Sequence, residues 1–331
     1  LRRSSKVRRQ RRGLRLLALI LGLSLVAAAC GGDDDDSGGS EAAPSGEEPT
    51  QGGEFVELGT FVGDPPEFID PGLNSTLDAY QVINALYDGL TEIDASDPEN
   101  PVVTGQVAES FESNDDATEW TFTIRDDLFF SDGEQVLPSS FQRAWERASN
   151  PDFAGDYSYL FNFIQGGAEK LDGTADTLAG VEVDDEAMTL KVTLAAPYSN
   201  FATVAGFQIF MPMPSAVDDL ADQKQWDRGL MIGNGPFMLE SARTDTDIVL
   251  VPNPKWDGTK YPDLDLPEQP YVDRIDFRVT ADPDTSYNSF EAGEGADAQI
   301  PPGRYVAAKE TYGTTLDVKI LGSYHWDINM D

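Results

Sequence analysis

Apolar residues recur along this chain with two distinct periods. Trp120, Phe122 and Ile124 alternate with Thr121 and Thr123; Met188, Leu190, Val192 and Leu194 repeat the pattern, as do Ile275, Phe277 and Val279. A period of two predicts half-buried strands. Helical spacing joins Ala79, Val82, Ile83, Leu86, Tyr87 and Leu90 in one stripe, with Gly89 placed to stop the helix. Phe141, Ala144, Trp145 and Ala148 form a second stripe after Pro138 and Ser139. A third helix is predicted to begin at Asp282 and Pro283, an N-cap followed by proline at the first helical position, and to end near Gly293. Strands and helices mix without strict alternation, which favours an α/β or α+β body with mixed sheets over a barrel or a bundle.

The first fifty residues follow neither period. Arg2, Arg3, Lys6, Arg8, Arg9, Arg11, Arg12 and Arg15 precede an apolar run, residues 16–29, that ends in Ala27, Ala28 and Ala29 before Cys30. A basic start, a short apolar run and small residues are the marks of an export signal, so residues 1–29 are predicted to be a signal peptide. Fourteen residues rise only about 21 Å as a helix, short of the roughly 30 Å hydrocarbon core. The Cys directly after the small residues resembles a bacterial lipobox, although Ala27 stands where that motif more often has Leu, and makes Cys30 the expected site of lipidation. Arg11 and Arg12 before Gly13 and Leu14 resemble a twin-arginine signal only faintly, so the export route stays open. Residues 31–53 (GGDDDDSGGSEAAPSGEEPTQGG) hold no large apolar side chain and read as a disordered acidic tether with a reach of about 25 to 30 Å.

Composition narrows the function. With 59 acidic against 23 basic side chains the formal charge is −36, and removal of residues 1–29 takes away eight of the basic groups and none of the acidic ones, leaving −44. Such a charge repels phosphate backbones and argues against a nucleic-acid partner. One Cys and one His (His325) exclude an internal disulfide and a zinc site built from those ligands. No G-x-S-x-G motif is present, and the sole His lies near the end of the chain, so a serine hydrolase is disfavoured. Asp282, Asp284 and Ser286 start like a calcium loop, but Tyr287 and Gly293 occupy positions that need Gly and Glu, so a helix start is the better reading. Gly233, Asn234, Gly235 and Pro236 lack the lysine of a phosphate loop and are expected to shape a tight turn. Paired carboxylates of a glycosidase are not excluded, because this many acids make any pair available.

Four ordered blocks then carry a resemblance. Residues 119–133 (EWTFTIRDDLFFSDG) followed by PSSFQRAWERASNPD, residues 69–90 (IDPGLNSTLDAYQVINALYDGL), residues 233–258 (GNGPFMLESARTDTDIVLVPNPKWDG) and residues 324–329 (YHWDIN) are together similar to the family 5 extracytoplasmic solute-binding proteins of ABC transporters. These are the oligopeptide-, dipeptide- and nickel-binding proteins. The resemblance implies an α/β, periplasmic-binding-protein-like fold (type II, cluster C) with mixed β-sheets. It implies a discontinuous first lobe, residues 54–91 plus 213–331, and an inserted small lobe, residues 92–212. A large third lobe that closes on the ligand is expected beyond Asp331, so the sequence reads as a truncated one.

The resemblance also implies a function and a site. The expected function is capture of peptides or peptide-like solutes for an ATP-driven permease, with no reaction catalysed and no cofactor. The chain is expected to be a monomer anchored to the outer face of the bacterial cytoplasmic membrane through Cys30. Asn74, Ser75, Thr76 and Leu77 lie where the family contacts the ligand backbone, and Tyr157 stands where oligopeptide binders have a ligand-facing Tyr. Ser75 replaces an acidic residue that meets peptides in some members. Gln299, Ile300, Tyr324 and Trp326 are expected along the first-lobe wall. An envelope carbohydrate-active enzyme using paired carboxylates, or a fragment that binds nothing, are the alternative readings.

Overall fold

Every alternating segment becomes a strand that turns large apolar side chains inward. In a computed structural model, residues 50–94, 100–229 and 231–313 are described, all within a unit that begins at Pro49. In chain order the elements are β1 (Glu54–Glu57), α1 (Leu77–Leu86), β2 (Thr91–Asp94), β3 (Val102–Gly105), β4 (Ala108–Ser113), β5 (Glu119–Ile124), α2 (Pro138–Ala148), α3 (Gly167–Leu171), β6 (Val181–Asp184) and β7 (Thr189–Thr193). They continue with α4 (Phe201–Ala205), β8 (Phe237–Leu239), β9 (Asp247–Pro252), β10 (Arg274–Arg278), α5 (Pro283–Glu291) and α6 (Tyr305–Tyr312).

Three sheets result among the described residues. One has the order β1-β10-β9-β8, with β1 parallel to β10 and the other pairs antiparallel. A second is the β2-β3 hairpin, and the third is the antiparallel sheet β4-β5-β7-β6. The first sheet thus draws strands from both ends of the described chain, and the third only from residues 108–193.

In β5, Trp120, Phe122 and Ile124 are buried while Thr121 and Thr123 are half-buried, because β4 and β7 flank the strand and one face meets the core. Full burial of a side chain such as Phe122 contributes about 1.5 to 3 kcal/mol. Leu190 and Val192 keep the pattern in β7, but Met188 falls in the turn before it, at φ +51°. Leu194 lies just past the strand, buried and bridged to Ile164. Along β10 the alternation blurs: Phe277 and its neighbour Asp276 are both buried and Ile275 is only half-buried, so both faces of this strand are covered at its C-terminal half.

The helices follow their predicted signals. Pro138 opens α2, where the Ser140 hydroxyl accepts a hydrogen bond from the Leu137 N–H at 3.2 Å. Phe141, Ala144, Trp145 and Ala148 are buried, and the Trp145 indole donates to the Phe210 carbonyl at 2.9 Å while its ring meets Phe210 edge-on at 5.2 Å. Asp282 caps α5 through its carboxylate, which accepts from the Thr285 N–H at 2.7 Å, and Gly293 follows the helix at φ +78°. The aspartates there serve the helix start, as expected.

The end of α1 differs from expectation. The helix stops at Leu86, three residues before Gly89, and Tyr87 is extended at φ −135°, ψ 139°. Residues 233–235 lie flat against this end: the Gly235 N–H donates to the Leu86 carbonyl at 2.9 Å. A Cβ on Gly233 would sit 2.0 Å from the Leu86 oxygen, and one on Gly235 2.6 Å from the Tyr87 nitrogen. These glycines therefore serve close backbone approach more than a tight turn. Gly89 likewise admits the Gly206 carbonyl, at 3.3 Å from its would-be Cβ.

Asp88 locks this junction. Its carboxylate accepts from the Gln106 amide at 3.0 Å, the Trp256 indole at 2.8 Å and the Tyr261 hydroxyl at 2.6 Å. Its backbone exchanges two bonds with the Asn234 side chain, at 3.2 and 3.0 Å. Burial pushes the Asp88 carboxyl up to about 6, against the pull of the Tyr261 and Trp256 hydrogen bonds. One buried carboxylate thus ties the end of α1 to the entry of β4 and to the segments flanking β8 and β9.

Candidate ligand-binding face

The turn before α1 is held from below. Asp70, fully buried, accepts the Gly72 N–H at 2.9 Å and pairs with Arg147 of α2 through both carboxylate oxygens, at 3.1 and 2.5 Å. Two parallel charge-assisted bonds fix orientation as well as distance. The Arg147 guanidinium also covers the Phe153 ring at 4.4 Å, and Gly72 packs so closely on that ring that a Cβ would sit 2.8 Å from it.

From this base the chain rises through residues 74–77. Asn74 is buried, and its side chain is consumed locally: the amide donates to the Thr76 carbonyl at 2.9 Å and to Gln208 at 3.1 Å, while its oxygen accepts from the Thr76 N–H at 2.9 Å. Gln208 returns a bond to the Asn74 carbonyl at 2.5 Å. Thr76 caps α1 by accepting from the Ala79 N–H at 3.4 Å. The loop presents Ser75, Thr76 and Leu77 to solvent, the last 76% exposed.

Beside it stands an aromatic shelf. Tyr157 is half-buried and meets Phe207 edge-on at 5.0 Å; Tyr80 of α1 stacks on Phe207 at 6.1 Å; Tyr159, 58% exposed, lies 6.5 Å from Tyr157. Burial raises the Tyr80 hydroxyl above its ordinary range, so it stays a neutral donor. The adjacent residues Phe207 and Gln208 couple the two groups, one carrying Tyr157 and Tyr80, the other Asn74. Such a surface can stack planar or apolar groups and offer hydroxyls at its rim.

The structure thus brings residues 74–77 and Tyr157 into one neighbourhood. Gln299 and Ile300 lie in another, after α5: the Gln299 N–H donates to the Ser286 hydroxyl at 3.1 Å, its side chain is exposed, and Ile300 is half-buried. Cys30, Tyr324, His325 and Trp326 lie outside the described residues. Tyr80, Tyr159, Phe207 and Gln208 escaped the sequence reading. A signal existed for Tyr80, which sits one position off the apolar stripe of α1, but nothing local marked the other three.

The fold is that of the periplasmic binding proteins. The chain superposes on the murein tripeptide-binding protein MppA of Escherichia coli with a TM-score of 0.66, 26% identity and coverage of 80% of this chain and 49% of that one. It superposes on the peptide-bound OppA of Listeria monocytogenes with a TM-score of 0.65, at the same identity and the same coverage of each chain. The family described as bacterial extracellular solute-binding proteins, family 5 Middle, matches residues 102–331, and the chain belongs to it. It is 28% identical to the dipeptide-binding protein DppE of Bacillus subtilis over 240 residues, covering 71% of this chain and 41% of that relative. With the periplasmic murein peptide-binding protein MppA of E. coli the identity is 32% over 213 residues, covering 62% and 38%. The chain spans half or less of the length of these relatives.

Proposed function

We propose that this chain is the solute-capturing part of an ABC importer, binding peptides or peptide-like solutes and tethered by a lipid on Cys30 to the outer face of the cytoplasmic membrane. The observation that carries this reading is the open face formed by Ser75, Leu77, Tyr80, Tyr157 and Tyr159, held from beneath by side chains already saturated. Several relatives are named for dipeptides, oligopeptides or murein peptides, and the Listeria OppA structure has peptide bound.

In this reading residues 54–91 and 213–331 make one lobe and 92–212 an inserted one. Ser75 and the Thr76 backbone meet the peptide main chain, whose groups are common to every sequence, and the tyrosines accept varied side chains through water-adaptable contacts. Gln299, Ile300, Tyr324 and Trp326 add a second wall. Closure against further structure traps the solute only as far as the closed state binds it better. Without a catalytic step, release falls to the permease.

The test is calorimetric titration of a mixed tri- to pentapeptide pool into the chain from Gly31 onward, alongside the Tyr157→Ala variant. Heat of binding that weakens in the variant supports the reading; no binding of any peptide, by this chain or by the same chain extended by whatever the source DNA encodes after Asp331, sinks the peptide assignment. Mass spectrometry of the membrane fraction, with Cys30→Ala as control, checks the anchor.

A further inference from the structure

Glu57, at the end of β1, and Asp297, in the segment after α5, are two carboxyl groups packed against each other. They lie within hydrogen-bonding reach, and Glu57 is 9% exposed. Among the described residues neither has an ion-pair partner within 4.0 Å. Their donors are neutral: the Thr60 hydroxyl donates to Glu57 at 2.7 Å, and the Leu58 N–H to Asp297 at 2.8 Å. Two carboxylates at this range repel unless one keeps its proton.

The contact also joins two pieces of the molecule. The Ala296 N–H donates to the Val56 carbonyl at 2.8 Å, and the Ser286 hydroxyl donates to the Leu58 carbonyl at 2.8 Å while accepting the Gln299 N–H. The fit leaves no slack: a Cβ on Gly59 would sit 2.8 Å from an Asp297 oxygen, and one on Gly295 2.5 Å from Leu58. Residues 295–300, which carry Gln299 and Ile300, are thereby seated on the β1 corner.

We propose that Glu57 keeps its proton beside Asp297 and that this contact acts as a latch that seats residues 295–300 on β1 and loosens when the proton leaves for solvent. The surroundings leave the pair to itself. β10 sets Phe277 opposite Glu57, and its charged Asp276 and Arg278 bond each other at 2.9 Å. Glu54 on β1 pairs with Arg274 at 3.1 Å. On α5 the hydroxyl of Ser286 faces the corner, while Asp284 and Glu291 lie by Arg304 at 3.4 and 3.6 Å. Burial first, then the hydrogen bond to Asp297, pushes the Glu57 carboxyl up to about 7, so the latch works near neutrality. In so far as Gln299 and Ile300 meet solute, a step that rests on the proposed function, the proton sets how firmly that wall stands.

The experiment follows the amide resonances of Gly59, Gly295 and Gln299 by NMR from pH 5 to 9 in the full chain. The expected result is one transition near pH 7 at all three, abolished in Glu57→Gln, whose resonances stay in the low-pH positions. Asp88→Asn, which removes another buried carboxyl raised above its ordinary range, leaves the transition in place. Resonances that move only in the ordinary carboxylate range, or move equally in Glu57→Gln, overturn the latch. Titrating the tri- to pentapeptide pool at pH 6 and pH 8 separates the two readings. Affinity that changes in the wild type but not in Glu57→Gln supports coupling of latch to site, and equal affinity at both pH values refutes that coupling. Absence of binding at both, by this chain and by the extended one, defeats the proposed function while the amide transition still decides the latch.

Discussion

Two regions built from the same kinds of residue behave oppositely. At the junction below α1, Tyr87, Trp226, Trp256 and Tyr261 bury their rings and commit their polar atoms: the Trp226 indole donates to the Tyr87 hydroxyl at 2.8 Å, which in turn donates to the Ile232 carbonyl at 3.2 Å. On the face above, Tyr157 and Tyr159 are packed along one side and open to solvent on the other. The difference teaches that residue type does not mark an open surface; unspent capacity does. Asn74 makes the point most sharply, since its place in the loop suggests ligand contact while its side-chain bonds are all used to hold Ser75 and Leu77 outward.

If the junction and its buried pairs are structural, the largest effect comes from breaking one. Arg147→Ala strands the buried Asp70 carboxylate and is expected to cost about 3 to 5 kcal/mol in urea unfolding. A loss below about 1 kcal/mol would end the claim that this pair carries the loop. Gly233→Ala should cost about 1 to 3 kcal/mol, because its methyl group collides with the Leu86 carbonyl; a neutral outcome would mean that residues 233–235 can lift away from α1.

The pH dependence sharpens the same contrast. Glu57 and Asp88 both titrate higher in the folded chain, at about 7 and about 6, than their ordinary values of 4.5 and 3.8. The folded state then holds protons that the unfolded state has already released, so their contribution is full below about pH 4 and declines as pH rises toward 7. The melting temperature should fall across that window, and Glu57→Gln should flatten the upper part of the fall. Calorimetric melts at stepped pH check this, and identical slopes in the two proteins would contradict it. Smallest in stability is the face itself: Leu77→Ser with Tyr159→Ser should shift unfolding by no more than about 0.5 kcal/mol. The same double variant should lose about tenfold in peptide affinity, about 1.4 kcal/mol. A stability loss without an affinity loss would make the shelf core and not site.

Much of the fold was legible because its signals are local. Alternation at Trp120 to Ile124 and at Leu190 and Val192 reports one buried sheet face, and Asp282 with Pro283 reports a helix start whatever packs on it. The stop assigned to Gly89 failed because the end of α1 is shaped by Gly233 and Gly235, nearly 150 residues further along. The candidate face was foreshadowed only through the family. Four sequence blocks pointed to the family and, with it, to residues 74–77 and Tyr157; Phe207, Gln208 and Tyr159 were hidden because only packing sets them beside the loop.

By itself, then, the sequence determined the course of three strands and the starts of two helices, the acidic charge and the family, since periodicity, composition and ordered motifs are properties of the chain. Tertiary structure decided which polar side chains are consumed and which are left open, which glycines serve approach instead of turning, and that Glu57 meets Asp297 across 240 residues. Those outcomes depend on distances between segments remote in the chain, and no local pattern encodes a distance.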